Sequence, residues 1–330
     1  MHHAHRLPLS VRLAALPVVL ALLLAGIALS GCQDAVSDVG GPVSLQTTQA
    51  LDVLPADAQM VGMVDLASAR ESGMVDDMMG GQVSPFGPDG SGEMDRLIRL
   101  TGFDPAEDID RIYIAASPDR ESGAIVLYAR FDRERMERAI AEEAPDEMER
   151  TEIEGVPAWV AREANGEAMS FALPNDEMMI AGSEEAVREM LRRLATGTPG
   201  ASSDLELMAL VEKAAHRETA WAVVRGMDGS QTAGDDPMGQ LGNLSESVVS
   251  SFDFGTDGLD VDVFVVPRAG AAAGDVADVA RGAVSAMRLQ AKDEPALMKA
   301  LDDVQVREAD TGVRVSGTMP RTLLADAQSR

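Results

Sequence analysis

Cys32 is the only cysteine in this chain of 330 residues, and it lies near the N-terminus. No disulfide can therefore form within the rest of the chain, so the fold must be held by burial of apolar side chains. Hydrophobic residues make up 45% of the sequence and recur with the periods of helices and strands, which excludes intrinsic disorder. The roughly 275 residues after position 54 are enough for one large domain or two lobes.

The segment before Cys32 has the pattern of a secretory signal. Arg6 and Arg12 give it a positive start, no acidic residue is present, and residues 13–29 form an uncharged, mostly apolar run. An uncleaved transmembrane helix is one alternative, but it needs about 20 apolar residues, and this run is shorter and contains Pro17. A plain secretory signal is another, and it would leave the exported protein with a single unpaired thiol.

The end of this segment, Leu29-Ser30-Gly31-Cys32, resembles the lipobox of bacterial lipoproteins. The resemblance covers residues 6–32. It implies that residues 1–31 are a signal peptide and are removed. It also implies that Cys32 carries a diacylglycerol on its sulfur and that the new N-terminus is acylated as well, with palmitate-type chains.

A lipid on Cys32 would fix the protein to a membrane. One acyl chain gives only marginal binding, whereas two or more hold a protein stably. Gln33 follows the cysteine, where inner-membrane retention in the enterobacterial sorting pattern requires aspartate. The resemblance therefore implies an exported protein on the periplasmic face of the outer membrane rather than on the inner membrane.

The charge of the chain is strongly negative. It has 28 Lys+Arg against 55 Asp+Glu, and removal of Arg6 and Arg12 with the signal changes the net charge from −27 to −29. Such a charge repels nucleic acid, so nucleic-acid binding is excluded. An acidic excess with scarce lysine resembles the proteins of salt-loving (halophilic) microbes, in which salt screens the repulsion. A high-GC genome and an acidic surface for a cationic partner are the alternatives.

Periodicity and turn signals predict an α+β fold after a polar spacer at residues 33–54. Asp132 and Ser183 are predicted to cap helices, and Ser203 and Glu206 form a capping box that predicts a third. The predicted strands are residues 59–66, 109–116, 124–131, 156–161, 168–173, 177–181, 219–224, 248–254 and 259–266.

The order of these elements in the first half returns in the second, which lacks one hairpin. We therefore predict two similar lobes, residues 52–198 and 199–330, that arose by internal duplication. Each lobe is expected to have a mainly antiparallel sheet with helices packed on one face. A chance likeness of two α+β segments is the alternative. Beyond the anchor, the halves resemble uncharacterised exported bacterial proteins with α+β repeats, which implies no activity.

The sequence offers no catalytic, cofactor or metal site. After removal of the signal, His216 is the remaining histidine, which excludes histidine-based triads and zinc sites with two or more histidines. Asp253, Asp257, Asp260 and Asp262 do not have the spacing of a calcium loop, and the last two fit the wet face of a strand.

Two segments rich in Met, Gly, Asp and Pro follow the first predicted strand of each lobe, at residues 73–93 and 226–242. Long loops of this kind are usually functional or disordered, and thioethers suit adaptable apolar contacts. We predict that they are contact loops, with Met74, Met78, Met79, Met227 and Met238 as the candidate residues.

Three hypotheses for function follow. The first is a non-enzymatic interaction or structural lipoprotein of the cell envelope, whose partners are membrane lipid through Cys32 and another envelope protein. The second is a solute-binding lipoprotein with a cleft between the lobes, which would need convergent polar groups. The third is a hydrolase that uses carboxylates alone, whose two acids would have to lie within about 10 Å of each other.

Overall fold

The computed structural model describes residues 43–73, 98–117, 123–143, 148–162, 168–214, 219–226, 237–255 and 258–323. The strands within these ranges are β1 Met60–Asp65, β2 Ile109–Ala116, β3 Ala124–Ala129, β4 Met148–Ile153, β5 Val156–Arg162, β6 Ala168–Asn175, β7 Met178–Gly182, β8 Ala220–Arg225, β9 Ser245–Phe254, β10 Gly258–Pro267, β11 Gln305–Ala309 and β12 Gly312–Pro320.

The α-helices of the same ranges are α1 Leu45–Val53, α2 Leu66–Glu71, α3 Pro105–Asp108, α4 Arg133–Glu143, α5 Glu184–Thr196, α6 Leu205–Val211, α7 Pro237–Leu244, α8 Ala273–Gln290 and α9 Pro295–Asp302. Residues 98–101 are helical as well. Two short 3-10 helices, Ala201–Ser203 and Ala291–Asp293, precede α6 and α9.

All twelve strands belong to one sheet, in the order β11-β12-β10-β9-β8-β1-β2-β3-β7-β6-β5-β4. Every neighbouring pair is antiparallel. The predicted α+β class with mainly antiparallel pairing is therefore confirmed.

The first strands of the two halves, β1 and β8, pair with each other at the centre of the sheet. The ladder runs from Met60 opposite Val224 to Val64 opposite Ala220, with Gly62 opposite Ala222. The two predicted lobes therefore share one continuous sheet, and the prediction of a separate sheet in each is wrong.

The strand alternation gives the sheet two faces. Face A carries Val61, Tyr113, Val126 and Val223 together with the buried residues of α1, α5 and α6, all in one hydrophobic core. Face B of the first half packs against α4 through Met136 and Ile140. Helices therefore cover both faces of the first half, and the prediction that they lie on one face is wrong.

In the second half, helices α7 and α8 pack on face B. Leu241 and Leu244 of α7 and Val276 of α8 contact Val265 and Val313 of the sheet. Helix α9 packs in turn against α8 in a smaller cluster with Leu301. The apolar side chains of β10 and β12 therefore alternate towards face B, as expected for a strand with one polar face.

Most of the predicted helix starts agree with the structure. Asp132 accepts a hydrogen bond from the backbone N–H of Arg135, and Ser183 accepts one from Ala186. The capping box at Ser203 is wrong by one residue, because Asp204 caps α6 instead. The Ser203 hydroxyl donates to the carbonyl of Gly200 at 2.6 Å and so closes the preceding 3-10 turn.

The largest correction concerns the predicted spacer at residues 33–54. The structure describes this segment from residue 43, and there it forms α1, capped by Ser44. Ala50, Leu51 and Leu54 have no exposed surface. The last part of the predicted spacer therefore belongs to the hydrophobic core. None of the described helices is both long and apolar enough to span a membrane.

Candidate functional site beneath the first helix

A row of polar side chains crosses face A at the end of the sheet where β1 stops. We call it the polar row: Tyr128, Arg111, Asp65, Thr219, Asp253, Asp260 and Thr318. These residues lie side by side on neighbouring strands. Arg111 lies opposite Tyr128 and Asp65, and Asp260 lies opposite Asp253 and Thr318. The backbone N–H of Asp65 donates to Thr219 at 2.7 Å and connects the two halves of the row.

An ion pair between Asp65 and Arg111 forms the centre of the row. The Asp65 Oδ2 atom accepts from Arg111 Nε at 2.8 Å and lies 2.7 Å from Nη2. Its Oδ1 atom accepts the backbone N–H of Ser68 at 2.9 Å and caps α2. Burial by itself would lower the pKa of Arg111, but the hydrogen bond and charge of Asp65 outweigh it and raise that pKa. The Arg111 guanidinium therefore stays charged at any physiological pH.

Helix α1 is attached to this ion pair and to the neighbouring tyrosines. Arg111 donates to the side-chain oxygen of Gln46, and the hydroxyls of Thr47 and Tyr113 lie 3.2 Å apart. Tyr128 meets Tyr113 edge to face, with the ring centroids 5.9 Å apart. Burial raises the pKa of Tyr113 and raises that of Tyr128 to about 12, so neither phenol acts as a base near neutral pH.

The other end of α1 is attached to the segment that joins the two halves of the chain. The backbone N–H of Ala201 donates to the carbonyl of Leu54 at 3.0 Å, and Ser202 donates to the carboxylate of Asp52. A Cβ on Gly200 would collide with the carbonyl oxygen of Leu54. Glycine is therefore required here by the close approach of α1.

In the second half, the polar row holds two carboxylates directly opposite each other. Asp253 accepts from Thr219 Oγ1 at 2.9 Å, and Asp260 accepts from the hydroxyl of Thr318. Among the described residues no group of three or more His, Cys, Asp or Glu side chains could hold a metal ion.

A second charged cluster surrounds the ring of Phe264 on face A. Lys213 Nζ lies 5.0 Å from the ring centroid, and the Arg314 guanidinium lies 5.8 Å from it. Arg314 Nε is 3.6 Å from an oxygen of Asp262. Burial raises the pKa of Asp262 above its ordinary value, although the charge of Arg314 acts in the opposite direction. These contacts fix the end of α6 over β10 and β12.

A groove of about 530 Å³ runs along the outer side of α5. Its arginines are held by carboxylates: Arg188 by Glu184 at 2.5 Å, Arg192 by Glu154 at 2.9 Å and Arg193 by Glu189 at 2.7 Å. The groove therefore has compensated charges and offers no free cation to an anionic ligand. It is lined by Glu185, Arg188, Glu189, Arg192, Arg193, Thr196 and Thr198.

Most residues of the predicted sites lie outside the described ranges. These are the lipobox Leu29, Ser30, Gly31 and Cys32, and the contact-loop residues Met74, Met78, Met79 and Met227, with His216. Met238 falls within α7, and only the backbone of this residue is described. The contact loops and the lipidation of Cys32 therefore remain predictions.

The sequence interpretation placed Asp260 on the polar face of a strand but missed the row that connects it with Asp65 and Arg111. Asp65 and Arg111 belong to strands separated by more than 40 positions, so their contact depends on a pairing that no local pattern reveals. The available signal was a charged residue on the inward side of each strand, beside the apolar positions Met63 and Tyr113. Chemically, the row carries charged groups of both signs and one phenol, Tyr128, which is neutral near pH 7. Within the row, Arg111 contacts α1 through Gln46.

Comparison with known proteins shows a similarity of fold to solved structures. No family model matches the chain, and no curated protein matches it. Among solved structures, crystal forms III and I of TP0453 resemble it with TM-scores of 0.52 and 0.50, at 9% and 10% identity. Each alignment covers 85% of this chain, and 98% and 96% of TP0453 respectively. At this identity the likeness concerns the fold alone.

Proposed function

We propose that this chain is a lipid-anchored protein of the cell envelope that acts by presenting an interaction surface rather than by catalysis. The observation that carries the proposal is the motif Leu29-Ser30-Gly31-Cys32 at the end of an apolar leader, with Cys32 as the only cysteine. The proposed location is the periplasmic face of the outer membrane. The proposed partners are membrane lipid, through acylated Cys32, and another envelope protein.

The contact loops are proposed as the surface that meets the envelope partner. The last described residues before them are Gly73, which follows α2, and Gly226, which follows β8. Because β1 and β8 are antiparallel, these loops start from opposite ends of the central strand pair. The proposal is therefore two separate contact regions, one with Met74, Met78 and Met79 and one with Met227 and Met238.

We also propose that the two halves arose by duplication. Read outwards from the centre, the first half runs β1-β2-β3-β7-β6 and the second runs β8-β9-β10-β12-β11. A helix follows the third strand of each half, α4 after β3 and α8 after β10. The first half has the additional hairpin β4–β5 at its edge. This order supports duplication independently of the residue identities.

The solute-binding alternative needs a cleft between two lobes. In the described part of the chain, the junction of the halves is filled by the β1–β8 ladder and by one core that includes Val61 and Trp221. The geometry therefore favours the interaction hypothesis over this alternative. For the carboxylate hydrolase, the adjacent pair Asp253 and Asp260 lies between two threonine hydroxyls and shows no feature that distinguishes acid from base.

The test of the anchor is metabolic labelling with an alkyne analogue of palmitate in a bacterial host. The full-length protein should incorporate the label and sediment with membranes, whereas Cys32→Ala should do neither. Labelling that persists in Cys32→Ala would contradict the proposal.

The test of the interaction surface is crosslinking in intact envelopes, followed by capture of the anchored protein. Two variants replace residues 74–93 or 227–236 with glycine-serine segments of equal length. One envelope protein should crosslink to the unaltered chain and be lost in at least one variant. A crosslinking pattern that is identical in all three proteins would contradict the contact-loop proposal.

A further inference from the structure

The position of α1 fixes where the lipid anchor joins the folded body. Gln46 and Thr47, in the first turn of α1, contact Arg111 and Tyr113 at the end of the sheet that carries the polar row. We call this end, where β1 stops and β2 starts, the anchor end. The opposite end, where β9 begins at Ser245, is the distal end.

The height of the sheet is comparable to the greatest reach of the chain that connects it to Cys32. Strand β9 has ten residues, so the two ends lie about 30 Å apart at ~3.4 Å for each residue. Residues 32 to 43 are eleven steps apart and span at most ~38 Å when fully extended. A spacer that continued to residue 54 would have twice that reach, but α1 removes this length because it is buried in the core.

We infer that the body stands on the lipid surface with its anchor end towards the bilayer and its distal end away from it. This inference rests on the proposed lipidation of Cys32. An inverted body would require the eleven residues to cover about 30 Å of sheet, close to their greatest possible length. That stretching excludes nearly all conformations of the segment and is opposed by chain entropy.

The surface at the anchor end fits a shallow contact with lipid head groups. Leu45, the first residue of α1, is 75% exposed, and it lies next to the point where the tether enters. Side chains of both signs are exposed at the same end of the sheet, with Arg130 66% and Asp110 42% exposed. Single apolar side chains and mixed charges suit the head-group layer of a zwitterionic bilayer, and they give no attraction to an anionic one.

The test measures the height of two sites above the membrane. Glu107 of α3 is exposed beside the anchor end, and Glu246 of β9 is exposed at the distal end. Glu107→Cys and Glu246→Cys are each introduced into the full-length lipidated protein, whose own cysteine is blocked by its lipid, and are labelled with a donor dye. The proteins are placed in phosphatidylcholine vesicles that carry an acceptor on a fraction of the head groups.

Energy transfer should be several-fold higher from position 107 than from position 246. Duplication of residues 33–42 doubles the reach of the tether and should bring the two values close together. Equal or reversed transfer in vesicle-bound protein would overturn the orientation while leaving the anchor intact. A difference that survives in the lengthened protein would overturn the role of the tether. Failure of the lipidated protein to float with vesicles, as expected for Cys32→Ala, would instead contradict the proposed function.

Discussion

Face A changes character where the first half of the sheet meets the second. One row of paired residues runs Val126, Tyr113, Met63 and Trp221 through β3, β2, β1 and β8. The same row continues through β9, β10, β12 and β11 as Ser251, Asp262, Ser316 and Gln305. This second line of residues, distinct from the polar row, is thus mostly apolar up to β8 and polar beyond it.

The difference follows from which helices reach this face. In the first half, α1, α5 and α6 bury face A and α4 buries face B, so the strands are apolar on both sides. In the second half, the core beneath α6 includes Val223 of β8, Val249 of β9 and Phe264 of β10, whereas Ser251, Asp262 and Ser316 are not part of it. The residue pattern of the strands follows this coverage. Apolar and polar residues alternate where one face of the sheet is polar, and apolar residues are continuous where helices cover both faces.

The comparison predicts that stability depends most on the contacts of α1 with the first half. Leu51→Ala removes a fully buried side chain and should lower the free energy of unfolding by about 3 kcal/mol. Leu45→Ala, in the same helix but 75% exposed, should change it by less than about 0.5 kcal/mol. Urea unfolding of residues 33–330 measures both. Equal effects would show that α1 is not part of the core.

Gly200→Ala tests the close approach at the other end of α1. The added Cβ would collide with the Leu54 carbonyl, so the helix end must shift, at a cost of about 2 kcal/mol. Gly282→Ala in α8 is the control, because a Cβ there meets nothing within 4 Å. It should stabilise the protein by about 0.5–1 kcal/mol, since alanine is the better helix former. Thermal unfolding separates the two signs, and a stabilising Gly200→Ala would contradict the docking.

Asp65→Asn tests the ion pair on the covered side of face A. Asparagine can still cap α2, but it leaves the partly buried Arg111 without a counter-charge. We expect a loss of about 1.5 kcal/mol in the free energy of unfolding. Arg111→Met in the Asp65→Asn background should recover part of the loss, because it removes the uncompensated charge. No recovery would argue against a charge effect.

Asp262→Asn tests the ion pair of Asp262 with Arg314 on the polar side of face A. Its effect on the free energy of unfolding should be opposite in sign to that of Asp65→Asn. The raised pKa of Asp262 means that the folded state holds this proton more tightly than the unfolded chain. The stability that this proton contributes is therefore fully present below the ordinary pKa of 3.8, and it is lost as pH rises through the pKa of the folded state. Asp262→Asn should be slightly stabilising at pH 7 and neutral near pH 3. A destabilising effect at pH 7 would show that Arg314 outweighs burial.

The smallest effect is expected for the opposed carboxylates of the polar row. Asp260→Asn removes a like-charge cross-strand pair with Asp253 and should stabilise the protein by about 0.5 kcal/mol at low salt. The gain should vanish in molar salt, where the Debye length is about 3 Å. It should also vanish in the Asp253→Asn background, which makes a double-mutant cycle the measurement. A gain that is independent of salt would refute the electrostatic cause.

Local patterns in the sequence were sufficient to predict most strands and several helix starts. The strand predicted at 109–116 coincides with β2, and Ser183 caps α5 because its side chain reaches a free N–H one turn ahead. Strand β4 was missed because Glu149, Arg150 and Glu152 make it polar, as suits a strand at the edge of a sheet. Helix α1 was missed because its first turn is polar, and those polar groups are the ones that bind Arg111 and Tyr113.

The long-range features could not be predicted from local patterns. The β1–β8 ladder and the Asp65–Arg111 contact both depend on which strands become neighbours, and alternation in one strand carries no information about its partner. The sequence therefore predicted two consecutive lobes, but it did not predict the single sheet that joins them. The polar row became visible only when the register of seven positions was known.

The pairing of β1 with β8 also has a consequence for how the chain acquires its structure. Strands β1 to β7 can pair as soon as the first half is available, but the second edge of β1 stays open until β8 arrives. Ordering a contact across so long a loop is slow, and an open apolar edge containing Val61 and Met63 is a template for another chain. We expect the β8 edge of a neighbouring molecule to be the main competitor, so that exchanged dimers are the characteristic product of refolding at high protein concentration.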